Sequence, residues 1–160
     1  IELSGTSKGS FYHYFDGKDA LLSTLSSLFD EKYEELTGLL TPEMTAMEQL
    51  LFLNRELFHM IEDSISLDLL ARLYSTQLTT NGEKHLLDHN RIYYKLLRKI
   101  IAKGQAEGQL SSRSNVNEMV KLYALCERAL LYDWCLCAGE YALTEYSAKV
   151  LPGFLSSFLP

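Results

Sequence analysis

Apolar residues recur with the period of an α-helix along most of this chain, and that pattern restricts the fold to a packed set of helices. Between about Lys18 and Leu40 they fall at Leu21, Leu22, Leu25, Leu28, Phe29, Leu36, Leu39 and Leu40. This is a stripe with a period of about 3.6 residues. Thr41-Pro42 ends it, because the residue before a proline is driven out of the helical region. A second helix is expected from Met44 to Ile61, with Leu50, Leu51, Leu53, Leu57, Phe58 and Ile61 inward. A third runs from Ser66 to Thr79 and stops at Asn81-Gly82. A fourth, from Glu83 to Lys103, turns Leu86, Tyr93, Leu96, Leu97, Ile100 and Ile101 inward and ends at Gly104 and Gly108. Its outer side carries Arg91, Lys95, Arg98, Lys99 and Lys103, a stripe that reads as a solvated basic face.

The stretch from Val116 to Ala138 is apolar almost all round. Asn117, Lys121 and Arg128 form one narrow polar stripe; Val120, Leu122, Tyr123, Leu125, Leu130, Leu131 and Trp134 occupy the rest. Such a helix must be covered on more than one side. The last helix, Thr144 to Leu159, is also strongly apolar through Val150, Leu151, Phe154, Leu155 and Phe158, with Pro152-Gly153 kinking or restarting it. Two helices of this kind from each of two chains would cover one another as a four-helix bundle, so a homodimer through the last two helices is expected. The fold class is all-α.

The start of the chain has a different character. Gly5 permits a sharp turn, and Thr6 and Ser7 are helix-capping residues, so a short helix is expected from Lys8 to Phe15. Gly17 interrupts it, and Asp16 with Asp19 forms a capping-box pattern opening the next helix. A tight turn leading into a short helix is the second half of a helix-turn-helix, whose second helix enters the DNA major groove. Phe11 and Phe15, four apart, share an inward face. Ser7, Lys8, Ser10, Tyr12, His13 and Tyr14 are left for phosphates and base edges, with Lys18 as a further phosphate contact.

The run Gly5-Thr6-Ser7-Lys8-Gly9-Ser10-Phe11-Tyr12-His13-Tyr14-Phe15, with Lys18, Leu21 and Leu22, resembles the recognition-helix signature of the tetracycline-repressor (TetR) family of transcriptional regulators. The likeness is dense over about the first 22 residues; beyond them only the succession of helices is similar. It implies an all-helical homodimer in which a small DNA-binding domain sits on a larger domain that binds a small-molecule effector and dimerises. Residues 1–17 would be the C-terminal part of a helix-turn-helix, and residues 18–160 the effector-binding and dimerisation domain. In the family a first helix and most of a second precede the turn. Here Ile1-Glu2-Leu3-Ser4 supplies only the end of that second helix and the first residue is not Met, so the helix-turn-helix is expected to be incomplete.

A chain of 160 residues can bury one good core. Its 47% hydrophobic content and three prolines suit a globular helical protein. No apolar run approaches the ~20 residues of a membrane span. Three cysteines give no disulfide framework, which makes a reducing cytoplasm the expectation. The net charge of −6 runs against nucleic-acid binding at face value. Lys8 and Lys18 stand against Glu2, Asp16 and Asp19 at the N-terminus, so charge neither supports nor excludes it.

Glu127 projects among Val120, Tyr123, Leu131 and Trp134, and a carboxylate on an apolar face needs a partner. An internal or intersubunit pair with Arg, Tyr or His is the commoner outcome, and a ligand contact the alternative. Asp133 likewise falls off the polar stripe, near Leu122, Cys126 and Cys137. In the body, Phe58, Tyr74, Tyr93, Tyr123, Glu127 and Trp134 are the candidate effector contacts, since apolar walls with a few polar handles make a pocket. His85 and His89, four apart with Asp88 between them, lack the further ligands a metal needs, so neither metal nor other cofactor is expected. Cys126, Cys135 and Cys137 read as packed thiols.

Catalytic signatures are missing. There is no nucleophile elbow, dinucleotide fingerprint or HExxH. Gly5-Thr6-Ser7-Lys8-Gly9-Ser10 lacks the Gly-Lys-Ser/Thr ending of a phosphate loop. The expected function is therefore non-enzymatic, and the family resemblance implies a ligand-responsive repressor released from a palindromic operator by a small molecule. The alternative is a helical homodimeric ligand-binding or protein-interaction module without DNA binding.

Overall fold

The computed structural model describes residues 18–82 and 84–160. Among them are six α-helices: α1 (Lys18–Thr37), α2 (Ala46–Ser64), α3 (Leu67–Thr79), α4 (Ile92–Ala106), α5 (Val116–Leu136) and α6 (Leu143–Phe154). Two short 3-10 turns, His85–Leu87 and Ser156–Phe158, complete them, and no strand occurs among the described residues. The all-α class is as expected. The Lys8–Phe15 segment, with Ser7, Lys8, Ser10, Tyr12, His13 and Tyr14, lies outside the described residues, as does the side chain of Lys18.

The helices form where the apolar stripes demand. On α1 the buried positions are Leu21, Leu25, Phe29, Tyr33 and Leu36, one face of a 3.6-residue period. The helix stops at Thr37 rather than Leu40, just before Gly38, and Leu39 is left exposed. On α2 the start is fixed by a capping box: Glu48 N–H donates to Thr45 Oγ1 at 3.1 Å and Thr45 N–H donates to Glu48 Oε2 at 2.9 Å. Ser66 and Asn115 cap α3 and α5 through the N–H groups of Leu69 and Glu118. Glu62 of α2 caps α6 from outside its sequence, accepting from the Leu143 and Thr144 N–H groups at 2.8 and 2.7 Å.

Other helix bounds also differ from expectation. The fourth helix begins at Ile92, not Glu83. Asp88 Oδ1 accepts from the Asn90 N–H at 3.0 Å, an Asx turn that competes with helix. The preceding residues fold back on α3, where Lys84 Nζ donates to the Gln77 and Thr80 carbonyls and Gln77 Oε1 accepts from the Leu86 N–H. At its other end this helix runs through Gly104 to Ala106, and the chain turns away at Gly108, whose φ of +72° suits glycine. Helix α5 ends two residues before Ala138, which adopts φ +53° beside Gly139 at +70°. Helix α6 ends at Phe154 rather than Leu159. Pro152 has no N–H for the helical ladder, and the following 3-10 turn swings Phe158 into the core.

Helix α2 is central and packs against α1, α4 and α6. Helix α5 packs against α3, α4 and α6, and α1 reaches α3 and α4. The core is one continuous apolar cluster drawn from every helix.

Candidate functional site

A cavity of about 60 Å³ lies where these helices converge. Phe29 and Tyr33 of α1, Leu57 and Ile61 of α2, and Leu70, Leu73 and Tyr74 of α3 form most of its wall. Leu86 and Arg91 enter from the segment before α4, Tyr93 from α4, and Ala124, Glu127, Arg128 and Leu131 from α5. The wall is mainly apolar, with a few polar groups converging on it, which is the composition of a small-molecule site.

Glu127 is buried and held on both oxygens. The Tyr93 hydroxyl donates to Oε1 at 2.5 Å, and Asn54 Nδ2 donates to Oε2 at 2.9 Å. Asn54 Oδ1 in turn accepts from the Ser147 hydroxyl at 2.7 Å. Burial raises the Glu127 carboxyl above the ordinary 4.5, against the hydrogen bonds from Tyr93, Asn54 and Tyr123 and the nearby Arg128 guanidinium. The internal pairing expected for it is thus with a tyrosine, and an asparagine joins it. Arg128, also on α5, donates to the Tyr94 hydroxyl at 3.1 Å.

Arg91 stands apart. Its side chain is only 8% exposed, and Nη2 lies 3.8 Å from Asp30 Oδ1 of α1. Neither Nε of Arg91 nor that aspartate oxygen has a hydrogen-bond partner among the described residues. Close by, Ser26 Oγ and His85 Nε2 are 2.6 Å apart, a second contact between α1 and the same segment. Burial and then the Arg91 charge lower the His85 pKa, which favours the neutral imidazole. The basic stripe expected on the fourth helix is corrected here: Lys95, Lys99 and Lys103 are exposed, but Arg91 is buried in the cavity wall. It precedes the true helix start, so it does not share the register of the others.

Of the six aromatic and acidic candidates, Tyr74, Tyr93 and Glu127 meet at this cavity. Phe58, Tyr123 and Trp134 do not line it: Phe58 is fully buried core, Tyr123 donates to the Leu50 carbonyl at 2.7 Å, and Trp134 Nε1 donates to the Tyr141 carbonyl at 2.9 Å. Tyr33, Arg91 and Arg128 were not among the candidates. The Asp88-His89-Asn90 turn signal before Ile92 could have exposed the broken helix and so Arg91. His85 and His89 share no helix face; His89 instead stacks on Tyr94 with centroids 4.4 Å apart. Asp133 is exposed and accepts from the Tyr141 hydroxyl at 2.9 Å. All three thiols have raised pKa values, chiefly through burial, and Cys137 also through Asp133, so their thiolate forms are disfavoured.

A second feature lies on the surface. On α5, Leu125, Tyr132 and Leu136 are 51%, 50% and 67% exposed, and with Ala129 they form an outward stripe at helical spacing. On α6, Leu143, Ser147 and Leu151 are buried, while Tyr146 and Phe154 flank Val150 on an outer face. No described helix is long and apolar enough to cross a membrane. Comparison with protein-family models, curated proteins and solved structures finds no match.

Proposed function

We propose that this chain belongs to a DNA-binding transcriptional regulator of the TetR type, with residues 1–17 in its helix-turn-helix and residues 18–160 as its effector-binding and dimerisation domain, a cytoplasmic repressor released from a palindromic operator by a small molecule. One observation carries the reading. Helix α1 follows the Gly5–Phe15 motif directly in sequence, and the same helix supplies Phe29 and Tyr33 to the cavity wall. A ligand in the cavity therefore acts on the helix that leads to the motif.

In this mechanism each subunit inserts its Lys8–Phe15 helix into the major groove of one half-site. Ser7, Lys8, Ser10, Tyr12, His13, Tyr14 and Lys18 contact DNA, while Phe11 and Phe15 seat the helix. Effector binding displaces α1 and changes the spacing of the two recognition helices. Operator affinity then falls by the ligand's differential affinity for the two states. The outward apolar stripes of α5 and α6 support a homodimer built from those two helices of each chain. No catalytic role is assigned to any residue.

The test is binding of the full-length protein to DNA from just upstream of its own gene, in a salt series, beside a Lys8→Ala, Tyr12→Ala variant. Specific binding that weakens steeply with salt and is lost in the variant is expected. Binding no better than to random DNA, there and at other promoters, would leave a helical ligand-binding or interaction module instead.

A further inference from the structure

The charge lining the cavity is one-sided. Two guanidinium groups, Arg91 and Arg128, face one carboxylate, Glu127, whose oxygens are already taken by Tyr93 and Asn54. Arg128 is partly satisfied by Tyr94. Arg91 is not. It is more than nine-tenths buried, its Nε has no acceptor among the described residues, and its ion pair to Asp30 is too long for a hydrogen bond at 3.8 Å. The Nε of this guanidinium has lost its water without gaining an acceptor. The planar fork of Arg is met best by the two oxygens of a carboxylate.

The rest of the site fixes the kind of carboxylate. Leu57, Ile61, Leu70 and Leu73 offer only apolar contact. At about 60 Å³ the space is under half of the ~150 Å³ that admits a benzene ring. Tyr74 also borders a groove of about 290 Å³ between α3 and α5, so it separates the cavity from that surface.

We propose that the cavity binds a small organic acid with a short apolar tail, its carboxylate displacing Asp30 from Arg91. This rests on the regulator reading for its consequence. Asp30 and Ser26 are the α1 members of the two contacts that hold α1 to the segment before α4. An acid that captures Arg91 removes one of them and so weakens the polar hold of that segment on α1.

The experiment is titration calorimetry and thermal unfolding at pH 7 with acetate, butyrate, hexanoate and benzoate, beside butyramide and hexanamide. Acetate or butyrate is expected to raise Tm in a concentration-dependent way, the amides to leave it unchanged, and hexanoate and benzoate, both too large for a space of about 60 Å³, to bind more weakly than butyrate. Arg91→Gln should weaken acid binding by about tenfold or more, the loss of one charge-assisted contact. Asp30→Asn, which keeps Arg91 and removes its competitor, should tighten it. Circular dichroism establishes that each variant is folded. Absence of binding by every acid, equal binding of acid and amide, or weaker acid binding in Asp30→Asn would overturn the proposal. Operator release by butyrate is measured separately on the full-length protein. Acid binding without operator binding sinks the regulator reading and sustains the site; operator binding without acid binding sinks the site alone.

Discussion

Asn54 of α2 donates to Glu127 of α5 at 2.9 Å and accepts from Ser147 of α6 at 2.7 Å, so one buried amide joins three helices. An apolar residue there would take the partner from Glu127 Oε2 and from the Ser147 hydroxyl. The network costs desolvation but fixes the register of α5 and α6 against the central helix, since a slide of either breaks the hydrogen bonds. Tyr93 extends the same network to α4 and to the cavity wall. The site is therefore built on the polar part of the core.

Removing the carboxylate and merely neutralising it should differ sharply. Glu127→Ala strands the Tyr93 hydroxyl and the Asn54 amide and is expected to cost about 2–4 kcal/mol. Glu127→Gln keeps the shape and one acceptor, and should lie within about 1 kcal/mol of the parent at pH 7. The pH dependence has a definite sign. Burial raises the folded-state pKa above the ordinary 4.5, so the contribution of Glu127 is fully present below that value and is lost as pH rises through the folded pKa. The stability of Glu127→Gln relative to the parent should improve between pH 4 and pH 7 in urea unfolding. A difference that stays flat with pH would contradict the burial argument.

Two glycines should respond oppositely to alanine. A Cβ on Gly104 would stand 2.6 Å from the Ala46 Cβ and 2.8 Å from Leu110, where α4 meets the start of α2. Gly104→Ala is expected to destabilise by about 1–3 kcal/mol, as overpacking does. A Cβ on Gly153 meets nothing within 4 Å, and that residue is helical without a positive φ. Gly153→Ala should stabilise by about 0.5 kcal/mol, mainly by restricting the unfolded chain. Thermal unfolding of the two variants side by side checks both signs.

These contrasts also mark how far the sequence could be read. The apolar period exposes α1, α2, α3 and α5 because packing faces leave a repeat in the chain, and Leu21, Leu25, Phe29 and Leu36 lie where that repeat puts them. The break before α4 carries only a short signal. Asp88 and Asn90 favour a turn but interrupt no apolar repeat, and the Asx turn is reinforced where Lys84 and Leu86 are anchored on α3. Missing that break put Arg91 on the solvent side of the stripe. The cavity was half legible for the same reason: Glu127 announces itself as a charge on an apolar face. Tyr33 and Phe29 look like any core aromatic until α3 and α5 are brought opposite them. The Lys8–Phe15 motif remains a reading of sequence alone.

Glu62 should make stability fall in acid. Burial alone would raise its pKa, but the Thr144 hydroxyl, the Thr144 and Leu143 N–H groups and His59 outweigh it, and the carboxyl is lowered from 4.5. A lowered folded-state value means that the contribution is present above about 4.5 and is lost as pH falls through the folded pKa. Glu62→Ala is expected to cost about 1 kcal/mol at pH 7, the usual worth of a helix cap, and progressively less below pH 4. Denaturant midpoints of parent and variant should converge in acid. Curves that stay parallel down to pH 2.5 would show that the cap works without its charge.

The strongest test of assembly lies on α5. Leu125, Ala129, Tyr132 and Leu136 face outward along one side, and Leu136 at 67% exposed contributes little to the fold of the single chain. If a second copy covers this stripe, Leu136→Glu buries a charge against apolar neighbours in the dimer but leaves it hydrated in the monomer. The expected result is a dimer Kd weakened by about thirtyfold, or ~2 kcal/mol, with thermal unfolding of the monomer and its circular dichroism unchanged. Lys95→Glu, exposed on α4 rather than on α5 or α6, is the matched control and should shift Kd by less than about threefold. Sedimentation velocity across a concentration series reads both. A parent that stays monomeric at high concentration would refute the homodimer, and a Leu136→Glu variant that dimerises as well as the parent would place it elsewhere than on this face.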